Sequence, residues 1–124
     1  MSWYNMPSMA VSDEFLQYVC DQLHKVGTVS TRRMFGGAGI YFQDKFFALV
    51  DNDELYFKVN DANRPRFVQA GSNPFEPTPG QIMKGYMSVP AEVLESATTL
   101  AEWAQGALAA AQAKPSKKPP RKRG

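Results

Sequence analysis

Residues 32–59, RRMFGGAGIYFQDKFFALVDNDELYFKV, constrain the fold more than any other stretch of the chain. They are rich in aromatic and β-branched side chains, which favour strands. The apolar run at 46–50 indicates a buried strand, and the alternation of apolar and polar residues at 55–59 indicates a strand with one buried face. Short connections at 43–45 and 51–54 contain Asp or Asn and favour tight turns. The stretch therefore predicts a meander of three or four antiparallel strands.

Helices are predicted before and after this meander in the chain. Ser12 is a good N-cap, and Asp13 and Glu14 follow it where the helix dipole favours negative charge, so we expect a first helix that ends at Gly27. The last helix is predicted from an apolar face at helical spacing, formed by Leu100, Trp103, Ala104, Ala107, Leu108 and Ala111.

Signals between the meander and the last helix are weaker. Asp61 or Asn63 is predicted to cap a short helix. Prolines and a glycine at 72–80 predict a loop without regular structure, followed by a last strand at 82–89. Capping-box spacing between Thr99 and the acidic residue three positions later predicts the start of the final helix.

The order of these elements predicts an α+β domain with two layers, an antiparallel sheet of about five strands packed against N- and C-terminal helices. We divide the chain into an N-terminal arm at 1–11, the domain at 12–113 and a disordered basic tail at 114–124. At 124 residues, the chain has room for one domain.

Composition narrows the class of protein. The chain has no apolar run long enough to span a membrane and no secretion signal at its N-terminus, so we expect a cytoplasmic protein without a membrane partner. Cys20 is the only cysteine, which excludes an internal disulfide.

The net charge of +2 conceals an asymmetry. Eight of the 14 basic residues and all 12 acidic residues precede position 114, so that part carries −4 and the tail carries +6. The tail is a candidate nucleic-acid contact through Lys114, Lys117, Lys118, Arg121, Lys122 and Arg123. Such binding would be non-specific, because the tail has no aromatic or amide group to read bases. A disordered end that only keeps the protein soluble is the other interpretation.

Residues that could support catalysis have simpler structural interpretations. Cys20 and His24 are four residues apart on the first helix, a spacing that suits a metal or a thiol with its base. However, Cys20 lies on the apolar stripe of that helix, where a small buried side chain is expected. The acidic residues at 51, 53 and 54 fit turns better than a cation or acid–base site. We therefore expect neither an enzyme, nor a metal, nor a cofactor.

Arg32 and Arg33 stand side by side in the first predicted strand, so their side chains point to opposite faces. One of them must reach water at the edge of the sheet or meet a carboxylate, for which Asp51, Asp53 and Glu54 are the nearest candidates in sequence. The glycines that follow, at 36, 37 and 39, favour a hairpin or bulge over a phosphate loop, because they lead into another strand.

Several motifs occur in the order found in a known family. They are RRMFGGAGIYF, FALVDNDELYFKV, NRPRF, AGSNPF and VPAEVLE followed by LAEWA. With these motifs, residues 12–111 resemble the N-terminal domain of the TfoX/Sxy competence regulators. The resemblance implies a small α+β domain of bacterial proteins that regulate natural transformation, whose better-known members co-activate transcription with the cyclic-AMP receptor protein. Longer members add a C-terminal domain, for which this sequence has no room.

Two functional hypotheses follow. The first is a non-enzymatic regulatory domain that acts through a protein partner, with a candidate partner surface at Arg32, Arg33, Gly36, Gly37, Gly39 and Tyr86. The alternative is a small nucleic-acid-binding accessory protein that uses its basic tail. An enzyme or small-ligand carrier would need a pocket that the sequence does not reveal. The sequence does not indicate an oligomeric state.

Overall fold

The structure is a computed structural model that describes residues 12–34 and 36–113. Its helices are α1 (Asp13–Gln22), α2 (Arg64–Gln69), α3 (Ala91–Leu94) and α4 (Ala97–Ala113), and a 3-10 turn (Leu23–Lys25) follows α1. Its strands are β1 (Ser30–Met34), β2 (Gly37–Phe42), β3 (Lys45–Asp51), β4 (Glu54–Lys58), β5 (Pro74–Thr78) and β6 (Gln81–Ser88). The arm and the tail predicted at 1–11 and 114–124 lie outside the described residues.

The six strands form one antiparallel sheet in the order β1-β2-β3-β4-β6-β5. The α+β class and the four-stranded meander are confirmed. The strand count is six, one more than the expected number, because β5 occupies the stretch predicted to be an irregular loop. That prediction was wrong, because β5 is an edge strand. At the edge of a sheet a proline is tolerated, since the N–H that it lacks is not needed to pair with a further strand.

The N-terminal helix begins as predicted. The Phe15 backbone N–H donates to Ser12 Oγ at 3.1 Å, and Asp13 and Glu14 occupy the first turn. The regular helix ends at Gln22, and the chain then passes through the 3-10 turn to Gly27, which has a φ of +141°.

The main core lies between the helices and one face of the sheet. Val19 and Leu23 from the N-terminal helical segment meet Phe47 and Phe57 from the sheet, and all four side chains are fully buried. On α4, the predicted apolar face contacts this core, with Leu100, Ala104 and Ala107 completely buried and Trp103 partly buried. The small alanines let α4 lie close to β3 and β4.

Two helix starts differ from the sequence predictions. Before α2, Asn63 occupies the N-cap position, one of the two predicted, but its side chain makes no capping hydrogen bond. Asn60 Oδ1 accepts hydrogen bonds from the backbone N–H groups of Ala62 and Asn63 instead. Before α4, the Thr99 backbone N–H donates to Ser96 Oγ at 3.2 Å. Ser96 is therefore the N-cap, about one turn ahead of the predicted Thr99, so that residues 97–99 also belong to α4.

Among helices within residues 12–34 and 36–113, none combines the length and hydropathy needed to cross a membrane.

Candidate functional site

A second apolar cluster lies on the sheet face opposite the helices. The strand register places Arg32, Gly39, Leu49 and Tyr56 in one row across β1 to β4, because each residue is paired with the next. Directly paired residues project from the same face. We call this surface the outer face; it carries Arg32, Gly39, Tyr41, Phe46, Leu49, Tyr56, Lys58, Phe75 and Tyr86. Of the helix residues that the structure describes, none belongs to the cluster.

A β-bulge determines which residues of β3 reach this face. Ile40 pairs with Ala48 but Tyr41 pairs with Phe46, so Phe47 is the extra residue. Phe47 and Ala48 both turn into the helix-side core. Phe46 and Leu49, three positions apart, consequently share the outer face, which a strict alternation would not allow.

Aromatic rings contact one another across the outer face. Tyr41 and Phe46 stack with their centroids 5.0 Å apart, and Phe46 continues to Tyr86 at 5.8 Å. Tyr56 and Phe75 form another pair at 4.8 Å. These contacts leave Tyr86 and Phe75 only 9% exposed although no described helix covers them.

Two cations flank the rings. The guanidinium of Arg32 lies 5.8 Å from the Tyr41 centroid, and the ammonium of Lys58 lies 4.8 Å from the Tyr86 centroid. Both distances are within the range of cation–π attraction. The outer face therefore combines a broad aromatic area with positive groups above it.

A groove of about 520 Å³, here called the sheet groove, opens on this face beneath the β5–β6 hairpin. Its lining includes Gly37, Phe46, Leu49, Asp51, Phe75, Met83 and Tyr86. The lining is mainly apolar, and Asp51 supplies its carboxylate. Burial raises the pKa of Asp51 above the ordinary value.

The predicted partner surface is divided by the sheet. Arg32, Gly39 and Tyr86 lie on the outer face, and Gly37 and Tyr86 line the same groove. Arg33 projects from the opposite side and forms an ion pair with Asp13 on α1. The sequence left open whether one of the two arginines reaches water or meets a carboxylate. Arg33 meets a carboxylate, but its partner Asp13 was not among the candidates chosen for their proximity in sequence.

The glycines have separate structural roles. Gly36 occupies the β1–β2 turn with a φ of +83°, and Gly37 begins β2. The segment thus forms a hairpin, which the sequence favoured over a phosphate loop. The six tail residues that were candidate nucleic-acid contacts lie beyond the described part of the chain.

Sequence reasoning missed four aromatic members of the outer face, Tyr41, Phe46, Tyr56 and Phe75. The alternation in β4 contained enough signal to find Tyr56, because it places this ring opposite the buried Leu55 and Phe57. Phe46 was hidden by the bulge, and Phe75 lies in the stretch interpreted as a loop.

Other residues considered for chemistry have structural surroundings. His24 Nδ1 lies 2.8 Å from the Asp21 carbonyl oxygen. Burial, with a smaller effect from the charge of Asp21, raises the pKa of the Cys20 thiol, which disfavours the reactive thiolate. Asp53 lies in the β3–β4 turn and accepts a hydrogen bond from the Ser12 backbone N–H at 2.8 Å. Within the described residues, no group of three or more His, Cys, Asp or Glu side chains is arranged to hold a metal ion.

Comparison with known proteins identifies the family. A family model described as the TfoX N-terminal domain matches residues 21–111, which extend from the last two residues of α1 almost to the end of α4. None of the curated proteins compared with the chain matches it. The match covers most of the chain and includes every strand of the sheet. The chain therefore belongs to the TfoX N-terminal domain family.

Proposed function

We propose that this chain is a cytoplasmic, non-enzymatic regulatory domain that acts through a protein partner in the transcriptional control of competence genes. Family membership supports a competence-related regulatory domain. The outer face of the sheet supports action through a partner, and it is the observation on which this proposal depends.

The outer face has the composition of a recognition surface. Tyr, Phe, Met and Arg are enriched at protein interfaces, because they bury large areas and still offer a polar or charged group. Here rings from five strands, β2 to β6, lie side by side, Arg32 stands at one flank, and Met83 is 41% exposed at the rim of the sheet groove. A contiguous apolar surface of this kind usually marks an interaction site.

The surroundings of the titratable groups also favour a regulatory role. The residues that sequence patterns singled out for chemistry stabilise turns or helix ends, as Asp53 and His24 do. The sheet groove has a size in the range of small-ligand pockets, about 300–1,000 Å³. Its described lining, however, combines the Asp51 carboxylate, the Gln81 amide and the Tyr86 hydroxyl with apolar side chains and contains no Ser, Thr, Cys or His.

Site-specific photocrosslinking in cells tests the proposal. We expect p-benzoylphenylalanine in place of Tyr41 to crosslink to one defined protein, which mass spectrometry identifies. The same amino acid in place of Lys25, an exposed residue after α1, should not give that adduct. Equal adducts from both positions, or none from position 41, would contradict a partner on the outer face.

A charge reversal links this surface to function. We expect Arg32→Glu to abolish the crosslink and to reduce competence-gene transcripts, because it places a carboxylate over the aromatic face. Lys25→Glu makes the same change in net charge on the helix side and should leave both unchanged. Circular dichroism checks that both variants fold. Normal transcript levels with Arg32→Glu would remove this surface from the regulatory function.

A further inference from the structure

The sheet groove has a chemical asymmetry that restricts what can occupy it. Its floor is formed by Phe46, Leu49 and Tyr86, and Met83 lies exposed at its rim. An occupant therefore gains by burying a large apolar group. The volume of about 520 Å³ leaves room for a bulky side chain and its neighbours.

A carboxylate borders this apolar surface. Asp51, at the end of β3, is half-buried and lines the groove, and Glu54 pairs with it across the β3–β4 turn. Among the residues that the structure describes, none donates a hydrogen bond to the Asp51 carboxylate or forms an ion pair with it. A partly desolvated carboxylate is stabilised by a cation that brings hydrogen-bond donors, as Lys and Arg do.

From this arrangement we infer that the sheet groove binds a segment of the partner protein in which a bulky apolar side chain stands next to a Lys or Arg. The apolar side chain enters the groove against Phe46, Leu49 and Tyr86, and the cation pairs with Asp51. This inference rests on the proposed function and specifies the chemistry of the partner.

Charge complementarity favours this occupant over nucleic acid. Asp51 and Glu54 repel phosphate at the end of the groove, and the described domain carries more acidic than basic residues. Lys58 lies over the Tyr86 ring of the groove floor and Arg32 lies over Tyr41, but Asp51 is the charged residue among those that line the groove. A basic segment is also drawn to an acidic domain during diffusion.

Peptide display on the full-length protein tests the inference and does not require the partner to be identified first. A library of random peptides is selected against the wild-type chain. We expect the recovered peptides to share an aromatic or large aliphatic residue adjacent to Lys or Arg. Recovered sequences with no such pairing would overturn the inference.

A charge swap tests the role of Asp51. Selection on Asp51→Lys should still recover the apolar residue, but next to Asp or Glu, and wild-type peptides should bind this variant at least tenfold more weakly in calorimetry. An unchanged consensus on Asp51→Lys would show that the carboxylate does not select the partner.

Two further variants locate the binding. Met83→Glu places a charge at the exposed rim of the groove and should abolish enrichment, whereas the helix-side control Lys25→Glu should retain it. Unchanged binding to Met83→Glu would place the peptides elsewhere. Thermal unfolding confirms that both variants are folded.

Other occupants give different results. Sedimentation of the wild-type chain as a dimer that Met83→Glu dissociates would assign the groove to a second copy and overturn the inference. Binding of oligo-deoxythymidine that Asp51→Lys strengthens would assign it to single-stranded nucleic acid. If the selection fails but position 41 still crosslinks to a defined protein, the proposed function stands and only this chemistry is wrong.

Discussion

At the scale of single residues, the glycines before and within β2 meet different requirements. At position 36 the backbone is left-handed, with a φ of +83°, which favours glycine, although the space where a Cβ would lie is open. At Gly37 the constraint is contact: a Cβ would stand 2.3 Å from the Val50 carbonyl oxygen. Glycine at position 37 therefore permits the close pairing of β2 with β3.

We expect Gly37→Ala to lower the free energy of unfolding by about 2 kcal/mol or more, because a backbone carbonyl cannot rotate away as a side chain does. Gly85→Ala is the matched control, since no atom lies within 4 Å of its Cβ position. We expect that control to change stability by less than about 0.5 kcal/mol in urea unfolding. Equal stability of the two variants would show that the strands separate there without cost.

The raised pKa of Tyr56 predicts that the free energy of unfolding depends on pH in the alkaline range. Burial, followed by the charge of Glu54, a hydrogen bond to Glu54 and the charge of Asp51, raises the pKa of Tyr56 to about 12. In the unfolded chain the phenol ionises near pH 10. Between these values the unfolded state binds fewer protons than the folded state, so the free energy of unfolding falls as the pH rises.

Tyr56→Phe removes the ionisable phenol. The free energy of unfolding of this variant should therefore fall less steeply with rising pH than that of the wild-type protein. Urea unfolding at pH 9 and pH 11 measures the difference. At pH 7 the two proteins should agree to within about 0.5 kcal/mol, because the hydrogen bond to Glu54 is exposed and 3.4 Å long. Parallel pH profiles would contradict the assigned cause.

At the scale of elements, the two central hairpins have similar loops. Gln43 and Asp44 join β2 to β3, and Asn52 and Asp53 join β3 to β4; all four residues have φ between 51° and 71°. Two-residue loops of this kind favour Asn followed by Gly. The sequence patterns indicated turns at both places, yet neither loop has the glycine that its backbone prefers.

Asp44→Gly should therefore raise the free energy of unfolding by about 0.5–1 kcal/mol, which corresponds to a melting temperature higher by about 4 °C. Asp53→Gly makes the same backbone change but also loses the bond from Ser12 N–H to Asp53 Oδ1. We expect a smaller gain there. A lower melting temperature for Asp44→Gly would show that this loop does not store backbone strain.

At the scale of the whole molecule, charge divides the chain into two parts. The described domain is acidic, whereas six of the 14 basic residues lie at 114–124. The alternative function, non-specific nucleic-acid binding, depends on those six residues. The outer face does not require them.

Under this alternative, DNA binding should weaken steeply with salt. If all six tail cations contact phosphate, the slope of log K against log salt concentration approaches about −5 for duplex DNA. A chain that ends at Ala113 should lose this binding completely. Fluorescence anisotropy with labelled duplex DNA measures both, and binding that survives truncation would place the contact on the folded domain.

Local patterns in the chain were sufficient for the fold class. The alternation around Leu55 and Phe57 described a half-buried strand, and the apolar face of α4 described a helix on a core, because each pattern depends only on the period of its own element.

Long-range pairing decided the rest. Pro74 and Pro77 discourage strand formation locally, but pairing with β6 at the sheet edge makes them a strand. The bulge beside Tyr41 turned Phe46 to the outer face, and the fold brought Asp13 to Arg33 across 20 positions. The sheet groove likewise combines residues from four strands, which meet only when the tertiary structure is complete.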